Sequence, residues 1–517
     1  MPERMTLRYV PRDQFAGLWS PGADSYVRSA LFADMCRLNA LYMIMRAGSG
    51  HIGTSFSSLD IVSWLHLEQL GLGPGEDEAE RGVYMSSKGH DAPALYAVLW
   101  ACGRLDGELI HRLRRREGLP GHPDVGTPGM SANTGSLGMG ISKAKGMVEA
   151  ARLAGTRRPV FVLTGDGELQ EGQIWESLQG ARNRQLGEIT VVVDHNKIQS
   201  DTWVRDVSDL GDLEAKFRAF GWNVARCDGH DLRAFDEVLR SVRADDAVPG
   251  VVIADTVKGR GVSFMEGIDS EDGLYHFHSG APPLEVFDKA FDEILDRANA
   301  AMASLGGSAL EPETVEVPAR AQPKGQRLVT AYSRALVDQG ERDGRIVVLD
   351  ADLVLDCGLI PFAQRFPERF IECGIAEQDM VSQAGGLALS GRLPIVHSFA
   401  CFLAARPAEQ IYTNATERTK VVYVGSLAGV VPGGPGHSHQ AVRDISLVSA
   451  VPGLVAVEPS TEDEVAALLD VCLHEVPGSV YFRLVTAPID VPFRLPSGYR
   501  PVPGQGVTVR SGPDGVV

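Results

Sequence analysis

Two short apolar runs with a helical pattern between them are the clearest feature of the hydrophobic pattern. Residues 160–163 and 189–193 are apolar and partly β-branched, and each run stops at a polar loop. Between them, residues 169–186 repeat apolar positions at helical spacing. A strand, a helix and a strand of these lengths predict a right-handed parallel βαβ unit. Because the carboxyl ends of parallel strands meet at one edge of a sheet, we expect the loops at 165–167 and 194–196 to converge there.

The same alternation of strand and helix patterns continues along most of the chain. It predicts an α/β fold with two domains, each a parallel sheet flanked by helices. A stretch rich in Ala, Pro and Glu, without an apolar period, separates the two domains and is interpreted as a linker. The predicted divisions are a first α/β domain at 1–295 that begins with an irregular polar arm at 1–24, a linker at 296–325, a second α/β domain at 326–492, and the first hairpin of a third domain at 493–517.

Length and composition narrow the class of protein. With 517 residues the chain is too long for one core, and its net charge of −18 disfavours nucleic acid or an anionic membrane as a partner. No apolar run approaches transmembrane length, and the first residues contain no apolar signal core. The seven cysteines form no CxxC pairs, which is typical of reduced thiols. The sequence therefore predicts a cytoplasmic protein, and its charge gives no positive clue to the substrate.

The loops at the ends of the two central strands carry the first candidate chemistry. Asp166 lies between Gly165 and Gly167, and Asn196 follows the next strand. A carboxylate, an amide oxygen and a nearby backbone carbonyl are hard ligands that suit Mg²⁺ or Ca²⁺, with phosphates of a bound molecule completing the shell. Gly-Asp-Gly alone is also common in ordinary turns at strand ends. The Asn-Lys pair after the second strand favours the cofactor interpretation.

These motifs resemble a known family. Gly-Asp-Gly followed by Asn resembles the signature of thiamine-diphosphate enzymes, and the stretches 165–173 and 194–199 are similar to transketolases in particular. The resemblance implies that Asp166, Asn196 and the carbonyl of Ile198 hold a metal ion on the cofactor diphosphate. It also implies cofactor contacts for the rest of the first loop, namely Gly165, Gly167 and Glu168.

Three Gly-His pairs lie at predicted loop positions and end at His51, His90 and His122. A single histidine is more often structural or exposed. Imidazoles near neutral pH can also donate to or accept from hydroxyl groups and oxyanions. The resemblance implies that these three histidines, together with His278, line the substrate channel.

A glycine-rich loop at 133–141 opens a helix of small residues. Free N–H groups at such a helix start can bind a phosphate, although the motif alone is weak evidence. The loop is similar to the transketolase loop whose backbone contacts the cofactor, which implies cofactor contacts for Gly135 and Leu137.

In the second domain, Glu377 opens a helix after a short strand. A glutamate there is explained by the helix dipole alone, worth roughly 0.3–1 kcal/mol. Gly-Ile-Ala-Glu-Gln is, however, similar to the transketolase motif whose carboxyl group faces the aminopyrimidine ring and activates the cofactor. Phe399 and Phe402 match the aromatic pair around that ring, and would otherwise be interpreted as core residues. Asp352 and His439 match a cofactor-binding aspartate and a catalytic histidine of the family.

The sequence departs from the family where the substrate is expected. Leu427 and Pro435 replace a histidine and an aspartate that meet the sugar in transketolases. Val354, Leu355 and Asp356 lie where the family offers hydroxyl groups to the sugar phosphate. The cofactor chemistry is therefore expected to be intact, with a substrate that is not an ordinary sugar phosphate.

Two residues remain as candidate substrate ligands in this region. Arg483 matches a family arginine that binds phosphate, although it is almost without similar neighbours in the sequence. His437 lies in the same loop as His439. Both are predicted here to contact the substrate.

Three functional hypotheses follow from the resemblance. The first is transfer of a two-carbon ketol unit through a covalent thiamine-diphosphate adduct. The second keeps the cofactor but decarboxylates a 2-oxo acid, with acyl or C2 transfer. The third is a noncatalytic homologue that serves as a scaffold or regulator, which the presence of Asp166, Asn196 and Glu377 disfavours.

The resemblance also bears on assembly. It implies a two-fold homodimer whose active sites lie between two chains, with the diphosphate held by one chain and the pyrimidine by the other. Transketolases continue for a whole domain after the point that matches residue 517. The sequence is consistent with a shortened chain or with one half of a split enzyme, in which a second polypeptide supplies the C-terminal domain.

Overall fold

Parallel strands alternate with helices in the computed structural model, which describes residues 4–19, 24–73, 82–319, 324–496, 498–502, 504–509 and 511–512. The chain divides into two compact units. The first consists of Met1–Arg320 with Gly434–Ser438, and the second of Ala321–Gly433 with His439–Val517. The predicted α/β class with parallel sheets is confirmed in both units. None of the helices in the described ranges is long and apolar enough to cross a membrane.

The strands of the first unit form two sheets. They are β1 (Arg4–Tyr9), β2 (Val83–Ser86), β3 (Val160–Gly165), β4 (Ile189–His195), β5 (Asn223–Asp228), β6 (Gly250–Asp255) and β7 (Glu313–Pro318). The larger sheet is parallel, in the order β2-β3-β4-β6-β5. The smaller one pairs β1 with β7 in antiparallel register.

Helices cover the larger sheet on both faces. They are α1 (Arg12–Phe15), α2 (Ser25–Ala47), α3 (Ile52–Trp64), α4 (Ala92–Ala101), α5 (Gly140–Leu153), α6 (Gly172–Asn183), α7 (Val204–Ser208), α8 (Leu213–Ala219), α9 (Leu232–Val242) and α10 (Leu284–Ser304), with short 3₁₀ or π turns at Ala16–Trp19, Leu65–Gln69, Gly107–His111 and Gly167–Gln170. Successive residues of β3 enter two different cores, because side chains alternate along a strand. Phe161 and Leu163 pack in the core that contains α2 and α3, whereas Val160 and Val162 pack in the core that contains α5 and α6.

The second unit repeats this plan around a six-stranded parallel sheet in the order β12-β13-β11-β10-β8-β9. Val348 and Ile395 pack on one face of this sheet, and Leu349 and Val396 on the other. In chain order the elements are α11 (Leu328–Arg342), β8 (Ile346–Asp350), α12 (Ile360–Arg365), a 3₁₀ turn at Pro367–Arg369, β9 (Phe370–Glu372), α13 (Glu377–Leu389), β10 (Leu393–Phe399), α14 (Ala400–Ala405), α15 (Ala408–Thr416), β11 (Val422–Ser426), α16 (Asp444–Val448), β12 (Val455–Val457), α17 (Glu462–His474) and β13 (Val480–Arg483).

Residues 4–19, which were predicted to belong to an irregular arm, have regular structure. Strand β1 pairs with β7 about 300 residues later, and Leu7, Val10, Phe15 and Leu18 are buried in the core of the first unit. Charged residues alternate with the few apolar ones in this segment. Only the pairing with a distant strand, which local pattern does not reveal, makes the segment a strand.

The segment 296–325, predicted as a linker, contains two regular elements. Helix α10 continues to Ser304 with Ala298 and Met302 buried, and β7 occupies Glu313–Pro318. The small alanines made the helical period difficult to recognise. The division between the two units falls at Arg320–Ala321, later than residue 295, the predicted end of the first domain.

The described residues of 493–517 contain no strand, so the predicted hairpin is not observed there. Residues 497, 503, 510 and 513–517 lie outside the described ranges.

Candidate functional site

The loops after β3 and β4 meet at the carboxyl edge of the first sheet. Gly165 and Asp194 are register partners, which brings the two strand ends side by side. Asp166 is buried, and its Oδ2 accepts a hydrogen bond of 2.5 Å from the amide of Lys197 while its Oδ1 accepts one of 2.8 Å from Gly167. The predicted convergence of these loops is confirmed by these contacts.

The polar atoms predicted to hold a metal surround this contact. Asn196 Oδ1 accepts from the Ile198 amide at 3.1 Å, and the Ile198 carbonyl accepts from Lys258 Nζ at 3.1 Å. Each of these oxygens has a second lone pair. Burial raises the pKa of Asp166, opposed by the charge of His195 and by the two amide hydrogen bonds.

The donor set determines which metal this edge suits. Among the described residues, no group of three or more His, Cys, Asp or Glu side chains is placed to hold a metal ion. One carboxylate with amide and carbonyl oxygens lacks the imidazole and thiolate ligands that are typical of zinc sites. It suits Mg²⁺ or Ca²⁺ when oxygens of a bound diphosphate complete the shell. The residues present therefore fit a metal that arrives with a diphosphate.

Glu168 accepts hydrogen bonds from residues of three loops. Its Oε1 accepts from Ser87 Oγ at 2.5 Å and from the Gly138 amide at 2.9 Å, and its Oε2 accepts from the Gly165 amide at 3.2 Å. Burial raises the pKa of this carboxyl group, and these hydrogen bonds oppose the rise. The structure thus gives Glu168 a role in positioning loops, and cofactor contact remains a prediction.

A buried ion pair that was missed in the sequence lies at the start of the loop 194–196, which carries Asn196. Lys88 Nζ lies 2.5 Å from Asp194 Oδ2, and both side chains are almost fully buried. Although burial alone would raise the pKa of Asp194, the ammonium of Lys88 holds it below its usual range. The signal in the sequence was the lysine directly before Gly89-His90.

The glycine-rich loop packs tightly against the histidine loops. Gly135 has φ +106°, and a Cβ at this position would lie 2.8 Å from the His122 ring. The loop could not adopt this path with a larger residue. Leu137 is partly exposed beside it, and the hydroxyl of Thr134 is buried without a hydrogen-bond partner among the described residues. An orphaned hydroxyl in this loop is consistent with a polar ligand.

The four predicted channel histidines form one cluster in the first unit. The His51 ring centroid lies 5.4 Å from that of His90, 5.8 Å from that of His122 and 5.3 Å from that of His278. His51 Nδ1 is buried with no partner among the described residues. The other rings are oriented by the carbonyls of Lys88 and Pro435 and by the ammonium of Lys258, at distances of 2.8, 2.8 and 3.2 Å.

Burial keeps these imidazoles neutral. It lowers the pKa of His90 to about 3 and that of His122 to about 4, and it lowers the pKa of His51 and His278 well below the usual value. Cationic neighbours act in the same direction, including Lys88 on His90 and Lys258 on His278. Near neutral pH the cluster therefore offers both hydrogen-bond donors and acceptors.

We predict that none of these four imidazoles gains a proton between pH 5 and pH 8. Their folded pKa values lie below the value of about 6.5 of an unfolded histidine, so protonation favours the unfolded chain and stability falls as the pH falls below about 6.5. NMR of ¹³C-labelled histidine should show chemical shifts of the cluster that do not change over this range. The chain unfolded in urea, whose histidines titrate near 6.5, is the control. A cluster signal that titrates near pH 7 would contradict the prediction.

In the second unit, Glu377 begins α13 and is 3 % exposed. Its Oε1 accepts from Arg406 Nη1 at 2.5 Å, whereas its Oε2 is buried without a partner among the described residues. The guanidinium of Arg406 also lies over the Phe402 ring, 4.4 Å from its centroid. Arg406 was missed in the sequence, where nothing local links it to a glutamate 29 residues earlier.

The predicted aromatic pair lies in the same place. The ring centroids of Phe399 and Phe402 are 6.1 Å apart, and the His439 ring lies 6.0 Å from the first and 5.1 Å from the second. The structure thus brings together Glu377, both phenylalanines and His439. A flat aromatic ring with a hydrogen-bonding edge fits such a set of groups.

Asp352 lies near the carboxyl edge of the second sheet. Its φ is +60°, and its amide donates to Glu372 Oε1 at 3.0 Å. Burial raises the pKa of Asp350 and of Glu372, and each carboxyl group is further affected by the other. Cofactor binding by Asp352 stays a prediction.

The two predicted substrate ligands are placed differently from expectation. Arg483 is buried, its Nε donates to Asp444 Oδ2 at 2.7 Å, and Glu458 forms a second ion pair with it. Its charge is therefore compensated inside the second unit. His437 belongs to the first unit, where its Nδ1 lies 3.5 Å from Asp124 Oδ2.

Comparison with known proteins gives the family. Residues 28–274 match the model of the transketolase thiamine diphosphate binding domain, and residues 324–487 match that of the transketolase pyrimidine binding domain. The chain is 31% identical over 456 residues to Transketolase-like protein 2 of Mus musculus, and 30% identical over 445 residues to Transketolase of Homo sapiens. Each alignment covers 83% of this chain and 69% of the relative.

A third relative is shorter. It is one of the subunits of an apulose-4-phosphate transketolase of Actinobacillus succinogenes, and it is 35% identical over 250 residues, which are 48% of this chain and 88% of that protein. With the two domain models covering most of the chain, and with relatives of this identity and coverage, the resemblance seen in the motifs is confirmed: this chain belongs to the transketolase family.

Proposed function

We propose that this chain is a thiamine-diphosphate-dependent transferase that moves a two-carbon ketol unit between small molecules. The observation that carries the proposal is the environment of Glu377. Its carboxyl group is buried, one oxygen is bound by Arg406, and the other has no partner among the described residues. A buried acceptor without a partner costs roughly 1–3 kcal/mol. A ligand that hydrogen-bonds to it would remove this cost.

Each unit carries residues that fit one part of the cofactor. In this proposal Asp166, Asn196 and the Ile198 carbonyl hold a divalent metal on the diphosphate, while Phe399 and Phe402 pack on the pyrimidine and Glu377 exchanges a proton with it. Thiamine diphosphate supplies, when bound, a nucleophilic carbon and an electron sink for cleaving a bond beside a carbonyl. An intact Glu377 disfavours a purely noncatalytic homologue.

The histidine cluster completes the proposed site. Four neutral imidazoles, with the ring centroids of His90, His122 and His278 each within 6 Å of that of His51, can hold the hydroxyl groups of a ketol substrate and accept or return protons at its oxygens. His51 Nδ1, which is buried without a hydrogen-bond partner among the described residues, is the ring atom that most needs a hydrogen bond from such a substrate. The cluster therefore supports a polyhydroxy or hydroxy-oxo substrate.

The proposed substrate is not an ordinary sugar phosphate. Arg483, the residue matched to phosphate binding, is already neutralised by Asp444 and Glu458. A phosphate near these carboxylates would be repelled by roughly 1 kcal/mol per unit-charge pair at 4 Å in water, and by more when partly buried. Val354 and Leu355 offer no hydrogen bonds in its place. An unphosphorylated ketose or a 2-oxo acid fits this environment better.

A product assay tests the proposal. The chain with thiamine diphosphate and Mg²⁺ is supplied with unphosphorylated ketoses and with 3-hydroxy-2-oxo acids, each with an aldehyde acceptor, and ketol product and CO₂ are measured separately. Ketol product from a ketose without CO₂ supports ketol transfer. CO₂ with an acyl product from a 2-oxo acid lacking a hydroxyl group would identify a decarboxylating transferase instead. No product from any donor would contradict an enzymatic role.

The sugar-phosphate part is tested on its own. A kcat/KM above about 10⁴ M⁻¹s⁻¹ for xylulose 5-phosphate with ribose 5-phosphate would contradict the proposed substrate class. This assay is needed because the relative from Actinobacillus succinogenes is named for a sugar phosphate. Its name denotes a subunit, which also supports testing for a second polypeptide. The proposed active form is a homodimer, and in this proposal a second polypeptide can supply a C-terminal domain.

A further inference from the structure

A tight turn before the third Gly-His pair places an arginine beside the histidine cluster. Arg114 has φ +54°, and its amide donates to the Leu119 carbonyl at 2.7 Å. A Cβ built on Gly121 would lie 3.1 Å from Arg114 Nε. One built on Gly434, which belongs to the same unit, would lie 3.9 Å from Arg114 Nη1 and 3.7 Å from Ser49 Oγ. The guanidinium therefore lies next to the residues that precede His122 and His51.

Arg114 has no anionic partner among the described residues. Among the residues that the structure describes, none forms a hydrogen bond or an ion pair with its side chain, and burial lowers its pKa to about 10. Three other arginines with buried or mostly buried side chains are paired with carboxylates: Arg37 with Asp34 and Asp60, Arg406 with Glu377, and Arg483 with Asp444. A partly buried guanidinium without a counter-ion costs stability, so the fold alone does not explain it.

The charge of Arg114 reaches the histidines. After burial and the neighbouring His278, it is the next cause that lowers the pKa of His51, and it also lowers that of His122. The guanidinium is thus electrostatically part of the cluster. An anion beside it would lie within reach of the same imidazoles.

We propose that Arg114 binds the anionic group of the substrate, a carboxylate or a phosphate, beside the histidine cluster. The inference rests on the proposed function, because it assigns the cluster to substrate. A guanidinium presents two parallel N–H groups that match either anion. The first unit would then recognise the charge of the substrate, in place of the neutralised Arg483 in the second unit. Among substrates of the proposed class, this favours a hydroxy-oxo acid over an uncharged ketose.

Calorimetric titration of the cofactor-loaded protein tests this without turnover. The probes are D-glycerate for a carboxylate, glycerol 3-phosphate for a phosphate, and glycerol as the uncharged control. We expect at least one anion to bind with a Kd of about 10 mM or below, and Arg114→Gln to weaken it at least tenfold, about 1.4 kcal/mol. Arg114→Lys, which keeps the charge but loses the fork, is expected to weaken it about threefold.

Arg116→Gln is the matched control, since Arg116 is exposed in the same turn and the substitution changes the net charge equally. It is expected to leave both Kd values within twofold of wild type. The anion that loses affinity in Arg114→Gln identifies the group recognised. Equal losses in the two glutamine variants, no loss in Arg114→Gln, or no anion binding by wild type would overturn the inference. If Arg114→Gln does not fold, an unchanged Kd in Arg114→Lys overturns it.

The test separates this inference from the proposed function. Arg114-dependent anion binding in a protein that yields no product from any donor would contradict the proposed function alone. Ketol transfer by wild type with Kd and KM values for anionic substrates unchanged in Arg114→Gln would contradict this inference alone. The expected combination is transfer activity with a KM for a hydroxy-oxo acid that rises at least tenfold in Arg114→Gln and a nearly constant KM for an uncharged ketose.

Discussion

Replacing Glu377 with glutamine is expected to lower kcat by about 10²- to 10⁴-fold, the usual range for loss of a general acid or base, and to leave cofactor affinity within a few-fold of wild type. Glutamine has nearly the same shape and can still accept a hydrogen bond from Arg406, which is 2.5 Å from Glu377 Oε1. It cannot exchange a proton in the way a carboxyl group does. Binding should therefore survive while activation is lost.

The decisive measurement is exchange of the thiazolium C2 proton for deuterium, followed by NMR after acid quench. Exchange is expected to be fast in wild type and slow in Glu377→Gln. Glu409→Gln is the matched control, because Glu409 is a glutamate in the first turn of α15 of the same unit. Exchange at the wild-type rate in Glu377→Gln would show that another group activates the cofactor.

Glu377→Gln removes both the ion pair with Arg406 and the carboxyl group that is proposed to exchange a proton, and the two effects have to be separated. Arg406 is mostly buried, so neutralising its partner leaves a charge poorly compensated. A lower melting temperature in Glu377→Gln is therefore expected, with little change in the folded fraction at assay temperature. Comparable far-UV circular dichroism and comparable cofactor binding in the two variants would assign the loss of kcat to the carboxyl group.

Replacing Asp166 is expected to weaken Mg²⁺-dependent binding of thiamine diphosphate by at least about 100-fold, which corresponds to about 2.7 kcal/mol. Asp166 is the only carboxylate of the predicted ligand set. Without it, one amide and one carbonyl oxygen must hold a divalent cation against a diphosphate. Isothermal titration with the cofactor, with and without Mg²⁺, measures the effect.

Two substitutions at this position separate charge from packing. Asp166→Ala also leaves the amides of Gly167 and Lys197 without acceptors, at roughly 1–3 kcal/mol each. Asp166→Asn keeps an acceptor oxygen and removes the charge, so its loss of affinity reports on the metal more directly. Asp269→Ala, in a loop of the same unit, is the control. Cofactor affinity that is unchanged in Asp166→Asn would contradict the metal assignment.

Much of the fold was predictable because its signals are local. The apolar run of β3 and its stop at Gly165 follow from residues within one short segment, and so does the helical period of α6. Parallel sheets then follow from chain order alone, since strand, helix and strand leave few topologies. That is why the loops bearing Asp166 and Asn196 could be placed at one edge from the sequence.

The histidine cluster was only half predictable. Gly-His pairs at loop ends indicated polar sites, and the family resemblance grouped them. The distances of 5.3–5.9 Å among the rings of His51, His90 and His278 depend on how three loops fold together. Their neutrality depends on the burial of each ring, which the sequence does not specify for an individual residue.

The sequence by itself determined the alternation of strands and helices in the central part of each unit, the positions of the loops at the sheet edges, and the presence of the motifs that carry the family. Only the tertiary structure decided which charges are compensated. It paired Arg483 with Asp444 and Glu458, joined Glu377 to Arg406, and left Arg114 without a carboxylate among the described residues. It also paired β1 with β7 across the length of the first unit. The physical reason is the same in each case: strand and helix periods are properties of neighbouring residues, whereas the cost of a charge or an unpaired strand depends on groups that only folding brings near.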